Sequence, residues 1–401
     1  LLDFVRILVD EGENEQQIFD SINSLGVRLT TAELLKNYLF SKEDIALFEQ
    51  TWLETFEKDQ ETMDFWSQEL LLGRLRKASI DNFLYSFLQI KVNDGSIKLT
   101  ATERDELQRY EKLFDSYKQL IDRAYDGDRT KLLPELIGYA KKYMEVMDCD
   151  IAKKPVPARG GADRLLSIIV NMDMTTLIPY MLYLLYTVED EEERNAMFGI
   201  LEGYIMRRLI TKDSNKNYNR FFTESLIGND IRTADDLKTH ILKSSATYPS
   251  DSSLAKGFET SQFKQHKAAR GILYYMETAL WDSDMQSNTM QSFESYSLEH
   301  MLPQNWRGTT WDQGENPESR DIALRTLGNL TLVTRKLDST MRNSAWKKKL
   351  DRGGVKGLAH NARGLKTMAE VWELEEWDEV QIKARAQRLT DLAKEVWPYI
   401  G

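Results

Sequence analysis

The chain has 401 residues, 41% of them hydrophobic and 29% charged, which suits two or three folded domains and is too apolar for a disordered chain. Its one cysteine, Cys149, excludes a disulfide framework and a cysteine-built zinc cluster, and fits a reducing, cytoplasmic setting. The longest apolar run, Leu177 to Val188, falls short of the ~20 residues of a membrane span and holds Pro179, so it predicts a buried helix and no membrane partner.

The start, Leu1-Leu2-Asp3-Phe4, has no initiator Met and no basic-then-apolar signal order, so the sequence reads as part of a longer protein. Phe4 to Val9 predicts a strand and Gln16 to Ser24 a helix. Thr30 and Glu33 form a capping box that starts the next helix, through Phe40. From there to about residue 245 the period is helical. After the turn Asn93-Asp94-Gly95, a second capping box, Thr100 to Glu103, opens a helix whose apolar face is Leu107, Tyr110, Phe114, Tyr117 and Ile121. Two prolines and two glycines make 153–161 a loop, and helices resume from Leu165 through Ile210. The serine-rich stretch Ser244 to Ser253 is the best domain boundary. One more helix, Phe263 to Leu280, follows it.

The grammar then changes. Phe293 to Leu302 and Leu327 to Val333 are short, aromatic or β-branched, and bounded by turn residues, so they predict strands. A polar connection with Gly308, Gly314 and Pro317 separates them, and a lysine-rich helix from Asn343 to Leu350 follows. The predicted fold class is mainly α: a helical domain plus a small α+β domain of ββα-metal layout at the C-terminal end.

Net charge is −11, yet Arg325 to Lys366 holds eleven basic and two acidic residues, a local +9 that leaves −20 for the rest. Such asymmetry is the footprint of a polyanion-binding region on an acidic body. Candidate nucleic-acid contacts are Arg335, Lys336, Arg342, Lys347, Lys348, Lys349 and Arg352.

His300 ends the first predicted strand and Asn329 lies in the second. Phosphodiester hydrolysis needs a neutral imidazole to deprotonate water, an amide or carbonyl to orient it, and a hard cation for the developing charge. His300 takes the first role and Asn329 the second. Asp338, nine residues after Asn329, is the expected metal ligand, with Asn343 as the alternative and Glu299 beside the base; Mg²⁺ is the expected ion, Mn²⁺ the substitute. His240 and His266 read as surface or packing histidines, His360 as a loop histidine with a phosphate contact as the alternative, and Trp306 and Trp311 as core or rim residues that could stack on bases.

Glu299-His300-Met301-Leu302-Pro303-Gln304, then Leu327-Gly328-Asn329-Leu330-Thr331-Leu332, then Asn343 ahead of Trp346 and Lys349, resembles the C-terminal HNH (His-Me finger) nuclease domain of GmrSD-type modification-dependent restriction enzymes. Ile18 to Leu29 followed by Glu33-Leu34-Leu35-Lys36-Asn37 resembles the distal end of that family's ParB/sulfiredoxin-like N-terminal domain. The helical stretch with Tyr204, Arg207, Arg208, Lys212 and Phe221 is similar to its middle region. The resemblance implies three parts: 1–45, the end of the N-terminal domain; 46–245, a helical middle; and 254–401, the nuclease domain. It also implies double-stranded, modified DNA as partner, a possible homo-oligomer, and a role in phage defence.

Two departures stand out. The family's Asp-Gly-Gln-Gln-Arg motif for nucleotide hydrolysis is absent, so any nucleotide would act only through a missing N-terminal part; and Asp338 stands where the family usually has Asn. The rival readings are a catalytically silent DNA-binding or scaffold protein and an RNA-directed nuclease.

Overall fold

A computed structural model describes residues 29–72, 75–244, 247–281, 290–312, 316–334, 342–352, 356–362 and 364–401. The predicted strand Phe4 to Val9, the helix Gln16 to Ser24 and most of the run Ile18 to Leu29 lie outside these, as do Arg335, Lys336 and Asp338.

The described chain is mainly helical with two small hairpins. Helix α1 (Thr31–Leu39) starts at the predicted capping box: the Thr30 hydroxyl accepts from the Glu33 amide and the Glu33 carboxylate accepts from Thr30. A π-helical segment, α2 (Glu49–Glu57), and α3 (Gln60–Ser67) follow. Then comes a hairpin absent from the sequence reading, β1 (Glu69–Leu72) and β2 (Leu75–Ala78), antiparallel with Glu69 opposite Ala78. Its apolar residues run without the strict alternation that identifies a half-buried strand.

Helix α4 (Ser79–Asn93) is buried almost throughout. The single helix expected beyond Thr100 is two: α5 (Ala101–Leu107), capped as predicted, and α6 (Leu113–Ala124). Arg109 takes an extended conformation between them, and the Tyr85 hydroxyl donates to the Gln108 carbonyl exposed by the break. The expected apolar residues still face inward because the chain resumes the same face after the bend.

Helices α7 (Leu133–Val146), α8 (Ala162–Asn171), α9 (Ile178–Thr187) and α10 (Glu191–Thr211) build the centre. The apolar run around Pro179 is the buried helix α9, with the proline in its first turn, where no amide donor is missed. A second π-helical segment, α11 (Phe221–Ile227), and α12 (Ala234–Lys243) complete this part.

The serine-rich stretch is packed chain rather than loose linker where it is described: Tyr248 is buried and the Pro249 carbonyl accepts from the buried Arg207. Helices α13 (Asp251–Thr260) and α14 (His266–Leu280) lead to β3 (Ser297–His300), α15 (Pro317–Ala323), β4 (Leu330–Val333), α16 (Trp346–Leu350) and α17 (Glu379–Val396). Both C-terminal strands are shorter than expected. Phe293–Ser295 and Leu327–Asn329 are 3₁₀ turns, so Asn329 sits in a turn just before β4. Helix α15 lies in the connection expected to be irregular; Asn316 caps it and Pro317 occupies its first turn.

Helix α17 fixes the turn before β4. Arg385, fully buried, donates one guanidinium nitrogen to the carbonyls of Leu327, Gly328 and Leu330. Gly328 lies so close to this helix that a Cβ there would stand 2.3 Å from the Ile382 carbonyl oxygen. Gly328→Ala is therefore expected to cost about 1–3 kcal/mol through forced separation of turn and helix, read as a lower urea midpoint.

Candidate active site

β3 and β4 pair antiparallel with His300 opposite Leu330, which places His300 at the end of the hairpin where the chain leaves for the long connection. The Met301 amide continues the pairing by donating to the Asn329 carbonyl. His300 and Glu299 are both buried, at 8% and 7% exposure.

Three groups surround the imidazole. The Gln304 side-chain amide lies 3.1 Å from Nε2. With its NH₂ donating, Nε2 carries the lone pair and the proton sits on Nδ1. The His266 ring, at the first residue of α14, has its centroid 5.5 Å from that of His300. Lys349 comes from α16. Burial, then the neighbouring His266, Lys349 and Arg325, push the His300 pKa down to about 4, so the ring is neutral at pH 7.

Asn329 is fully buried, and its amide does not reach the imidazole. Its Oδ1 accepts from the Leu302 amide at 2.7 Å and from the Trp377 indole at 3.0 Å. Its Nδ2 donates to the carbonyls of Leu302 at 2.9 Å and Leu324 at 3.1 Å. Direct orientation of the ring was expected; the contact observed is to the chain two residues beyond His300. An amide can hold a backbone amide and carbonyl at once, which no carboxylate or hydroxyl does with the same geometry.

Lys349 differs most from its expected place. It was counted with the surface cations, yet its side chain has no exposure and its ammonium donates to the His300 carbonyl at 2.5 Å and the Arg342 carbonyl at 2.8 Å. Glu299 Oε1 lies 2.9 Å from the same nitrogen. Desolvation pushes the Lys349 pKa below the usual lysine value, against the pull of Glu299. The reason lies in helix period: Lys349 is three residues after the buried Trp346 and one before the buried Leu350, on the inward face of α16.

The remaining expected contacts divide. Arg342 and Asn343 are exposed just before α16, and Lys347 and Lys348 are exposed on it. Lys347 pairs with Glu375 at 3.0 Å, and Arg352 pairs with the same carboxylate at 2.9 Å while donating to the Trp372 and Leu374 carbonyls. Glu375 thus neutralises part of the basic segment. Trp306 and Trp311 are buried and donate to Asp321 and to the Ser344 carbonyl, so both are packing residues.

Among the described residues no group of three or more His, Cys, Asp or Glu converges as a metal cage. Glu299, the described carboxylate nearest the base in sequence, is already neutralised by Lys349. These residues do not by themselves fit the hard divalent ion that the motif implies. What they supply is a desolvated imidazole kept in its neutral, lone-pair-bearing form, the form a general base needs, at the end of a strand pinned from both sides; the same surroundings lower its affinity for the proton.

A two-stranded hairpin ending in a buried neutral histidine, stapled by an asparagine and backed by a short basic helix, defines a candidate hydrolytic site. Residues 248–392 match the family model of the C-terminal domain of GmrSD restriction endonucleases. The chain is similar to that family over this region, which points to a restriction-endonuclease-type nuclease with DNA as substrate. No curated protein matches the chain. No helix among the described residues is long and apolar enough to cross a membrane.

His266, Gln304 and Trp377 were not assigned to the site from the sequence. Gln304 had a signal, its place in the motif. His266 had none, since 34 residues separate it from His300 and only the packing of α14 on the hairpin joins them.

Proposed function

We propose that the chain is a DNA endonuclease of HNH (His-Me finger) type, the nuclease portion of a modification-dependent restriction or phage-defence protein, with His300 as general base. The observation that carries this reading is the coincidence of the restriction-endonuclease match over 248–392 with a buried imidazole held neutral at pH 7. In the reaction, Nε2 of His300 takes a proton from water as Gln304 yields its place. The oxygen so activated forms a bond to phosphorus, and one P–O ester bond breaks with its electron pair leaving on the departing oxygen. Asn329 and Lys349 position the base by holding the chain on either side of it.

The test is cleavage of supercoiled plasmid, modified and unmodified, in parallel with RNA, each with Mg²⁺, Mn²⁺ or EDTA. Nicked DNA that is absent with His300→Ala is the expected result. Cleavage stopped by EDTA and restored by Mg²⁺ makes Asp338, with Asn343, the ion ligand to examine. Cleavage of RNA alone, or of no substrate, overturns the reading.

DNA would be held electrostatically by the exposed cations flanking the hairpin. Lys348→Glu should weaken duplex binding more than Lys347→Glu, because Lys347 already has Glu375 as its partner. Loss of one phosphate contact lowers the slope of log affinity against log salt by about 0.9. Fluorescence anisotropy over a salt series measures this, and equal effects of the two changes would remove Lys348 from the interface.

A further inference from the structure

A cavity of about 590 Å³ opens in the helical middle region and shares no lining residue with the His300 hairpin. Its volume lies within the roughly 300–1,000 Å³ of small-molecule sites. Four stretches of chain meet there: α5 with Arg104, α10 with Tyr204 and Arg208, the turn before α11 with Tyr218, and α11 with Phe221 and Glu224.

Three features converge on it. Part of the wall is aromatic: the Tyr204 ring lies 5.2 Å from Phe221 and 5.8 Å from Tyr218, with the Arg208 guanidinium 5.2 Å from Tyr204. Two lining residues carry buried polar atoms with no hydrogen-bond partner, the Tyr204 hydroxyl and Arg104 Nε. A buried polar atom left unpaired costs about 1–3 kcal/mol and is rare in native proteins, so two at one cavity indicate a group that completes them. Lastly, α11, like α2 elsewhere in the chain, is π-helical, a rare form that is frequent at functional sites.

We propose that this cavity binds a nucleotide unit, a nucleobase with its phosphate, either free or turned out of a DNA strand. Guanidinium groups pair with phosphate and their planes stack on bases, and the three aromatic side chains, all buried, form the floor beneath them. Arg208 is a wall: its nitrogens are engaged by the Tyr218 hydroxyl and the carbonyls of Thr247 and Ser214. Arg220 is the cation open to exchange of partners. It is 64% exposed and makes only long pairs, 3.4 Å to Asp105 and 3.5 Å to Glu224, which a phosphate can replace. Glu224, the carboxylate in the lining, is paired with Arg220 at 3.5 Å. Asn217 and the Asn229 side-chain oxygen add groups suited to a base edge, while the Ser225 hydroxyl lies 2.7 Å from His240 Nε2 and Asn229 Nδ2 donates to the Ser225 carbonyl.

The test uses the full chain carrying His300→Ala, so that DNA stays intact and the result does not depend on catalysis. One arm titrates deoxyadenosine monophosphate by calorimetry. The other follows 2-aminopurine emission in a duplex where that base faces a mismatch, the condition in which turning a base out costs least. Arg104→Ala and Arg220→Ala should each weaken the response about tenfold or more, Tyr204→Phe by a few fold, and Lys141→Ala, an exposed residue outside the cavity, not at all. Thermal melts confirm that each variant is folded, and Arg220, being exposed, can be changed without disturbing the core. A response in the first arm alone identifies a free nucleotide, and one in the second an extruded unit. No response in either arm, or one indifferent to all three cavity substitutions, overturns the proposal.

Discussion

Lys349→Met is expected to lower stability by about 3–5 kcal/mol, the usual cost of removing one partner from a buried ion pair. The loss exceeds that of a surface lysine because three acceptors are orphaned together: the Glu299 carboxylate and the carbonyls of His300 and Arg342. Lys348→Met, one residue away and exposed, should stay within about 0.5 kcal/mol of the parent. Removing both partners, in Lys349→Met with Glu299→Gln, should recover part of the loss, since a neutral pair leaves no charge stranded. Urea unfolding of the parent, the single variants Lys349→Met and Glu299→Gln, and the double variant gives the coupling directly. If the Lys349 change proved as mild as that of Lys348, the buried pair would not be holding the hairpin to α16. The same comparison bears on DNA: Lys349 contributes to affinity only through fold, so folded Lys349→Met should keep the salt slope that Lys348→Glu reduces.

How far the sequence could be read follows from where each partner lies in the chain. Capping boxes at Thr30 and Thr100, the buried helix around Pro179 and the helix ending at Leu280 depend on neighbours within four residues, and they were legible. The hairpin was legible in outline because two short β-rich runs carry its motif. Its ends were not, since Arg385 and Gly328 convert the start of the second run into a 3₁₀ turn by packing against a helix more than 50 residues downstream. A separation of 48 residues likewise hid Trp377, one of the partners of Asn329. Lys349 is a different case, because the signal was present. Three lysines in a row look alike as charge, but the spacing from Trp346 to Lys349 and Leu350 puts only the third on the apolar face. Charge counting treated as one patch what helical period divides into a surface pair and a buried bolt.

His300→Ala should lower single-turnover cleavage by about 10²–10⁴-fold, the usual contribution of a positioned general base, while DNA affinity changes little. A neutral imidazole adds nothing to phosphate attraction, so binding and rate separate. The parent's pH dependence gives an independent check. With the His300 pKa held near 4, the base is available down to that pH, and the acid limb of the rate profile should fall near 4 instead of near the usual histidine value of 6.5. Stability carries the same signature. The unfolded chain takes up the proton at about 6.5 and the folded one only at about 4, so native stability is full above 6.5 and declines as pH falls from 6.5 through 4. A shift of that size amounts to about 3 kcal/mol. His300→Ala should flatten this part of the stability curve, because Ala has no proton to gain on unfolding. Cleavage at the parent rate by His300→Ala would remove the residue from the chemistry, and an unchanged stability curve would show that the desolvated neutral ring is not what the acid limb reports.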